Sequence, residues 1–70
     1  NDPENTFKYM NQCILEGKSN VVLEYAAYLY KTKHFKESLN YFMMLSKINH
    51  PIAQYYIGIM KYYGQGCKAN

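Results

Sequence analysis

Few residues in this chain have the types and spacing to do chemistry. Gly64-Gln65-Gly66 has the spacing of a phosphate-cradling loop. It follows a helical stretch instead of opening one, and a helix C-terminus carries the negative end of the dipole, which repels phosphate. No Gly-Lys-Ser/Thr run accompanies it, so a structural turn is expected. Cys13, His34, His50 and Cys67 are potential metal ligands, yet they are scattered, with no CxxC or HxxxH pair. Catalysis would need a nucleophile, a base and an orienting group in one pocket. The carboxylates Asp2, Glu4, Glu16, Glu24 and Glu37 fall on surface-type positions, and no Ser-His or Cys-His spacing suggests a pair. The expectation is a non-enzyme without metal or cofactor.

Charge points the same way. The net charge is +3 and every basic residue except the two His is Lys. Arg, the rigid fork that reads guanine edges and grips phosphates, does not occur. The densest basic group, Lys31, Lys33, His34 and Lys36, reads as a solvated turn. Nucleic acid is therefore not an expected partner.

Aromatic residues are the unusual feature: nine Tyr and three Phe in 70 residues, without Trp. Tyr buries a large ring while keeping a wet hydroxyl, which suits half-buried surfaces and interfaces. With 49% apolar and 19% charged residues and a mean hydropathy of −0.46, the composition is that of one soluble domain over residues 1–70. Apolar stretches are only a few residues long, so no membrane insertion is expected. The polar start Asn1-Asp2-Pro3-Glu4 does not read as a signal peptide. A cytoplasmic location is expected, with a lumenal or secreted setting within a longer chain as the alternative. Cys13 and Cys67 are expected to stay unpaired, each in a packing role.

Pro and Gly punctuate the chain into four helices, about 3–16, 20–32, 35–48 and 51–63. Asp2 is the expected N-cap of the first, and Phe7, Met10 and Ile14 its inward face. Val22, Ala26 and Leu29 line the second, and Ser38, Leu39, Phe42, Leu45 and Ser46 the third. Short connections make consecutive helices antiparallel neighbours.

An offset of 32 residues aligns the chain with itself. Thr6 pairs with Ser38, Phe7 with Leu39, Tyr9 with Tyr41, Met10 with Phe42 and Cys13 with Leu45. Further on, Val21 pairs with Ala53, Tyr25 with Ile57, Ala26 with Gly58 and Tyr30 with Tyr62. A period in the low thirties with two helices per unit is the signature of an α-solenoid.

The segment from Ala53 to Cys67 resembles the first helix and turn of a Sel-one-like repeat, a relative of the tetratricopeptide repeat. Ala53, Ile57, Gly58, Gly64, Gly66 and Cys67 occupy the places of its A-x-x-x-L-G-x-x-Y-x-x-G-x-G-V pattern. Lys61 stands where that pattern prefers Tyr. Phe35 to Phe42 resembles the second helix, with Ser38 for the usual Ala. The earlier unit is more degenerate, with Tyr25-Ala26 for Leu-Gly. The resemblance implies an all-α fold of antiparallel helix pairs within a longer array, with Asn70 where a next helix would be capped. It also implies core positions for Tyr9, Tyr25 and Tyr41. Gly inside a helix costs about 0.8–1 kcal/mol against Ala, so Gly58 is expected to mark a close helix contact that Leu would overpack.

By the same resemblance, the first helix of each unit lines a concave face. Its exposed positions are Asn20, Leu23, Ala27, Tyr30 and Lys31 in one unit and Ile52, Tyr55, Ile59, Tyr62 and Tyr63 in the other. So much apolar surface implies a cover: a partner protein or peptide, a neighbouring repeat, or a second copy. The expected function is a non-catalytic interaction module binding through Asn20, Leu23, Tyr30, Lys31, Tyr55, Ile59, Tyr62 and Tyr63. The alternative is a purely structural section of a longer scaffold.

Overall fold

The computed structural model describes residues 3–68, which form four helices: α1 (Pro3–Leu15), α2 (Ser19–Lys31), α3 (Phe35–Ser46) and α4 (Pro51–Tyr63). Among the described residues there is no strand. Asp2 and Asn70, the expected caps at the two ends, lie outside the described residues. The helices begin at residues 3, 19, 35 and 51, sixteen apart each time. Their extensive contacts are between chain neighbours, α1 on α2, α2 on α3 and α3 on α4, with the α2–α3 pairing the largest. The Cα envelope is 33 × 27 × 16 Å, and its short dimension suits two helices packed about 8–10 Å apart.

Every helix ends in the same way. Gly17, Lys33, Asn49 and Gly64 take left-handed φ of +77°, +66°, +60° and +70°. The next N–H then reaches back five residues to a carbonyl: Lys18 to Cys13 (2.7 Å), His34 to Leu29 (2.8 Å), His50 to Leu45 (3.3 Å) and Gln65 to Met60 (2.8 Å). This six-residue closure satisfies carbonyls that a helix end otherwise leaves unpaired. All four acceptor residues are buried, so each reversal is fastened to the core. The starts are less elaborate. Lys18, His34 and His50 occupy the cap positions of α2, α3 and α4 without a side-chain cap bond.

The core contains Val22, Ala26 and Leu29 from α2, Leu39, Phe42 and Leu45 from α3, and Ala53 and Met60 from α4. Among the described residues one polar residue is buried: Ser38, which donates its hydroxyl to the Ala26 carbonyl at 2.8 Å and draws α3 close onto α2. Phe42 stacks on Tyr56 at 4.5 Å between centroids, joining α3 to α4. Cys13 is buried and Cys67 half-buried, and both are free thiols.

Several expectations fail, three of them on the outer helices α1 and α4. Phe7 is 47% and Tyr9 61% exposed, because α1 packs chiefly on α2; the Phe7 ring reaches Tyr41 of α3 only at a tilt across an open groove, at 5.9 Å between centroids. Their counterparts Leu39 and Tyr41 are buried because α3 has a helix on each side. Gly58 is exposed, and a Cβ built there meets nothing within 4 Å. Its counterpart Ala26 is fully buried under α3. The third helix ends at Ser46, two residues before Ile48, because the chain unwinds towards the left-handed Asn49.

Candidate functional site

The largest exposed aromatic cluster lies on α4. The fourfold spacing Tyr55–Ile59–Tyr63 and the intervening Tyr62 share the side of α4 that turns away from Ala53 and Met60, the residues it buries. Tyr55, Tyr62 and Tyr63 are 67–70% exposed. With Gln54, Gly58 and half-buried Ile59 they border an open depression of about 470 Å³. Tyr62 meets Tyr63 edge-on at 4.9 Å, and Tyr55 meets Tyr56 at 6.1 Å. Since Tyr56 stacks on Phe42, one side of the cluster is braced against the core. Gly58 forms the floor with bare backbone, which leaves the peptide groups of the helix approachable from outside.

The α2 residues expected to extend this surface do not join it. Tyr30 is half-buried: its ring meets Phe35 and Tyr56 edge-on, each at 5.4 Å, and its hydroxyl donates to Gln65 Oε1 at 3.0 Å. It therefore clamps the turn after α4 onto α2 and α3. Its counterpart Tyr62 has no such cover. Leu23 packs against the core, while Asn20 and Lys31 are exposed at the two ends of α2, away from the depression.

Gly64-Gln65-Gly66 is a structural turn. Gly66 has φ +82°, and a Cβ there would lie 2.6 Å from the Phe35 carbonyl oxygen, against backbone. Only glycine lets this turn approach the start of α3. Gln65 carried no signal in the sequence, because its partner Tyr30 is 35 residues away.

Two further surfaces were not anticipated. Phe7, Ile14 and Leu15 of α1 face Met43, Met44 and Ile48 across a groove of about 650 Å³. The sequence signal was the apolar residues lying off the inward stripes, Leu15 and Met43 above all. A second hollow, of about 470 Å³, brings Glu4 and Glu37 near Tyr25 and Tyr41. Burial, then the neighbouring Tyr25 and Glu37, raises the Tyr41 hydroxyl above its ordinary value of 10.0. Tyr41 is thus neutral at physiological pH and packs edge-on to Tyr25 at 5.3 Å. Among the described residues, no three His, Cys, Asp or Glu gather as a metal set, and no helix is long and apolar enough to cross a membrane. Lys31, Lys33, His34 and Lys36 are all exposed around the α2–α3 turn, where the Thr32 hydroxyl bonds His34 Nδ1 at 2.8 Å.

Searches with the whole chain find no matching family model, no matching curated protein and no matching solved structure.

Proposed function

We propose that this chain is a non-catalytic protein–protein interaction module of helical-repeat build, similar to Sel-one-like and tetratricopeptide repeats, and that it binds a partner protein or peptide on α4. One observation carries the reading: Tyr55, Tyr62 and Tyr63 stand exposed around a hollow while their neighbour Tyr56 is locked to Phe42. A contiguous apolar patch of this kind marks an interaction surface. Tyr gives large contact area at low side-chain entropy cost, and its hydroxyl can meet a peptide backbone. The repeat build is supported by the sixteen-residue spacing of the helix starts and by the common helix end. The chain has no Arg to grip phosphates or read guanine edges, so nucleic acid is left out of the reading. The free thiols of Cys13 and Cys67 suit a reducing, cytoplasmic compartment.

The test is selection of displayed extended peptides on the immobilised chain. Selected peptides should lose at least about 2 kcal/mol, some thirtyfold in affinity, on Tyr62→Ala. Lys33→Ala, in the distant turn, should leave affinity unchanged, and circular dichroism should show both variants folded. Peptides indifferent to Tyr62, or no enrichment at all, would favour the second reading. That reading is a structural section of a longer repeat scaffold, and the uncovered Gly58, whose counterpart Ala26 is sealed by α3, speaks for it.

A further inference from the structure

A second surface, which the α4 reading leaves unused, is the groove between α1 and α3. Its two hollows adjoin, because Phe7 and Asn40 line both. The two helices pass along it in the same sense. Their first turns bring Glu4 and Glu37 to one hollow, and Leu15 and Lys47, at their other ends, lie along the second. The acidic end is walled by aromatic rings. Tyr41, 5% exposed, forms its base, with Phe7 at 5.9 Å and Tyr25 at 5.3 Å between centroids. A carboxylate beside aromatic rings suits an ammonium or a guanidinium, which is drawn both by the charge and by the ring quadrupole. Glu4 is engaged by Lys8 at 3.9 Å in an exposed pair, but among the described residues Glu37 has no ion-pair partner. The helix dipoles do not cancel these acids, since each N-terminus carries about half a positive charge against a full negative one on a carboxylate. Nor does the net charge of +3 decide the matter, because charges farther off than about 8 Å are largely screened at physiological ionic strength. The middle of the groove is apolar, with Phe7 and Met43 about half exposed. Asn11 and Asn40 are exposed along it, and each amide offers a donor and an acceptor, the two groups that a main chain presents in return.

We propose that the α1–α3 groove binds an extended peptide segment, with a basic side chain at the Glu37 end, an apolar side chain in the middle and a carboxylate at the Lys47 end. The site is separate from the α4 face and does not rest on it. Charge complementarity at both ends gives the segment one direction. From Glu37 to Lys47 the helical rise covers about 15 Å, which an extended chain spans in about five residues at roughly 3.3 Å each. Alternate side chains of such a chain point to one side, so its first, third and fifth residues face the groove as base, apolar residue and acid. A helix filling the same length would have only about ten residues, too few to hold its shape alone in water, whereas an extended segment needs no such order. One charge at each end and one apolar contact place the Kd at about 0.1–1 mM, weaker than a standard-sized interface gives.

The test is a titration of the isotope-labelled chain with the blocked peptide Lys-Thr-Leu-Thr-Glu, followed by backbone NMR shifts. The reversed peptide Glu-Thr-Leu-Thr-Lys has the same composition and is the control. The first should bind with a Kd below about 1 mM and shift the amides of Phe7, Asn40 and Met43, while those of Tyr62 and Tyr63 stay in place. The reversed peptide sets like charges against each other at both ends and should bind at least about tenfold more weakly. Glu37→Gln should remove most of that preference, and Met43→Asp should abolish binding of both; circular dichroism checks that both variants fold. A chain that binds neither peptide overturns the proposal. So does equal affinity for the two, or a preference that survives Glu37→Gln. Shifts confined to α4 also refute the groove, while leaving the recognition face on α4 standing. Conversely, binding in the groove that is indifferent to Tyr62→Ala upholds this site whatever becomes of the α4 reading.

Discussion

Replacing Gly66 and Gly58 by alanine, one at a time, should move stability in opposite directions. At Gly66 the added Cβ would sit 2.6 Å from the Phe35 carbonyl oxygen, 2.8 Å from its carbon and 3.1 Å from Lys36 Cα, all backbone. A left-handed φ costs a non-glycine residue about 1–2 kcal/mol. Relieving the collision by shifting main chain adds roughly 1–3 kcal/mol, the scale of overpacking. The stiffer unfolded chain returns only about 0.4–1 kcal/mol. The net loss is then about 2–4 kcal/mol, against a total of roughly 3.5–10 kcal/mol for a domain of this length. At Gly58 the new methyl meets nothing, and the helix gains about 0.8–1 kcal/mol of propensity. Each kcal/mol moves Tm by about 4–8 °C at this size. Differential scanning calorimetry should therefore show Gly66→Ala melting at least 10 °C lower, by this scale, and Gly58→Ala melting several degrees higher. A Gly66→Ala variant that melts with the wild type would show that the last turn does not seat on α3. A destabilised Gly58→Ala would show that a helix or partner already covers that backbone.

Three further outcomes are expected. Tyr30→Phe removes the 3.0 Å bond to Gln65 but keeps the ring contacts, so urea unfolding should lose about 0.5–1.5 kcal/mol. Lys33 is exposed and holds φ +66° at the end of α2. Lys33→Gly relieves that strain, offset in part by glycine's freedom in the unfolded chain, and should gain about 0.5–1 kcal/mol in the same assay. The Tyr41 hydroxyl ionises above 10.0 in the folded state, so on raising the pH the unfolded chain loses its proton first. Its contribution to stability is full below pH 10 and is lost as the pH rises beyond it. A Tyr41→Phe variant should therefore show a shallower alkaline decline in urea midpoint than the wild type.

The sequence disclosed the helices to within one or two residues because its punctuation is local. Pro51 opens α4, Gly17 and Gly64 close α1 and α4, and the three- and four-residue apolar spacing fills in between. The central core was legible for the same reason: Val22, Ala26, Leu29, Ser38, Leu39, Phe42 and Leu45 are all buried. The misreadings at Phe7, Tyr9 and Gly58 share one physical origin. Self-alignment at 32 residues assigns each position the surroundings of its counterpart, but α1 and α4 lack the outer neighbour that α2 and α3 have. Tyr30 was misread in the opposite sense, since the turn that covers it arrives from Gln65. Contacts that depend on where two distant segments meet leave no periodic trace.

The common helix end has a consequence for how the chain finds its shape. Each reversal is closed by a bond spanning five residues onto a carbonyl of the same helix, so the three turns that join the helices form locally. Contacts that follow are mainly between successive helices, so little loop-closure entropy must be surrendered before burial begins. Chains rich in such short-range contacts fold in microseconds to milliseconds. The α2–α3 pair, with the largest interface, is the natural nucleus, and α1 and α4 add to its two sides. Unfolding runs the other way. α1, the helix most sparsely packed on its neighbours, opens first, so the groove that Phe7 and Leu15 line against Met43 and Met44 is the first part of the molecule to become labile.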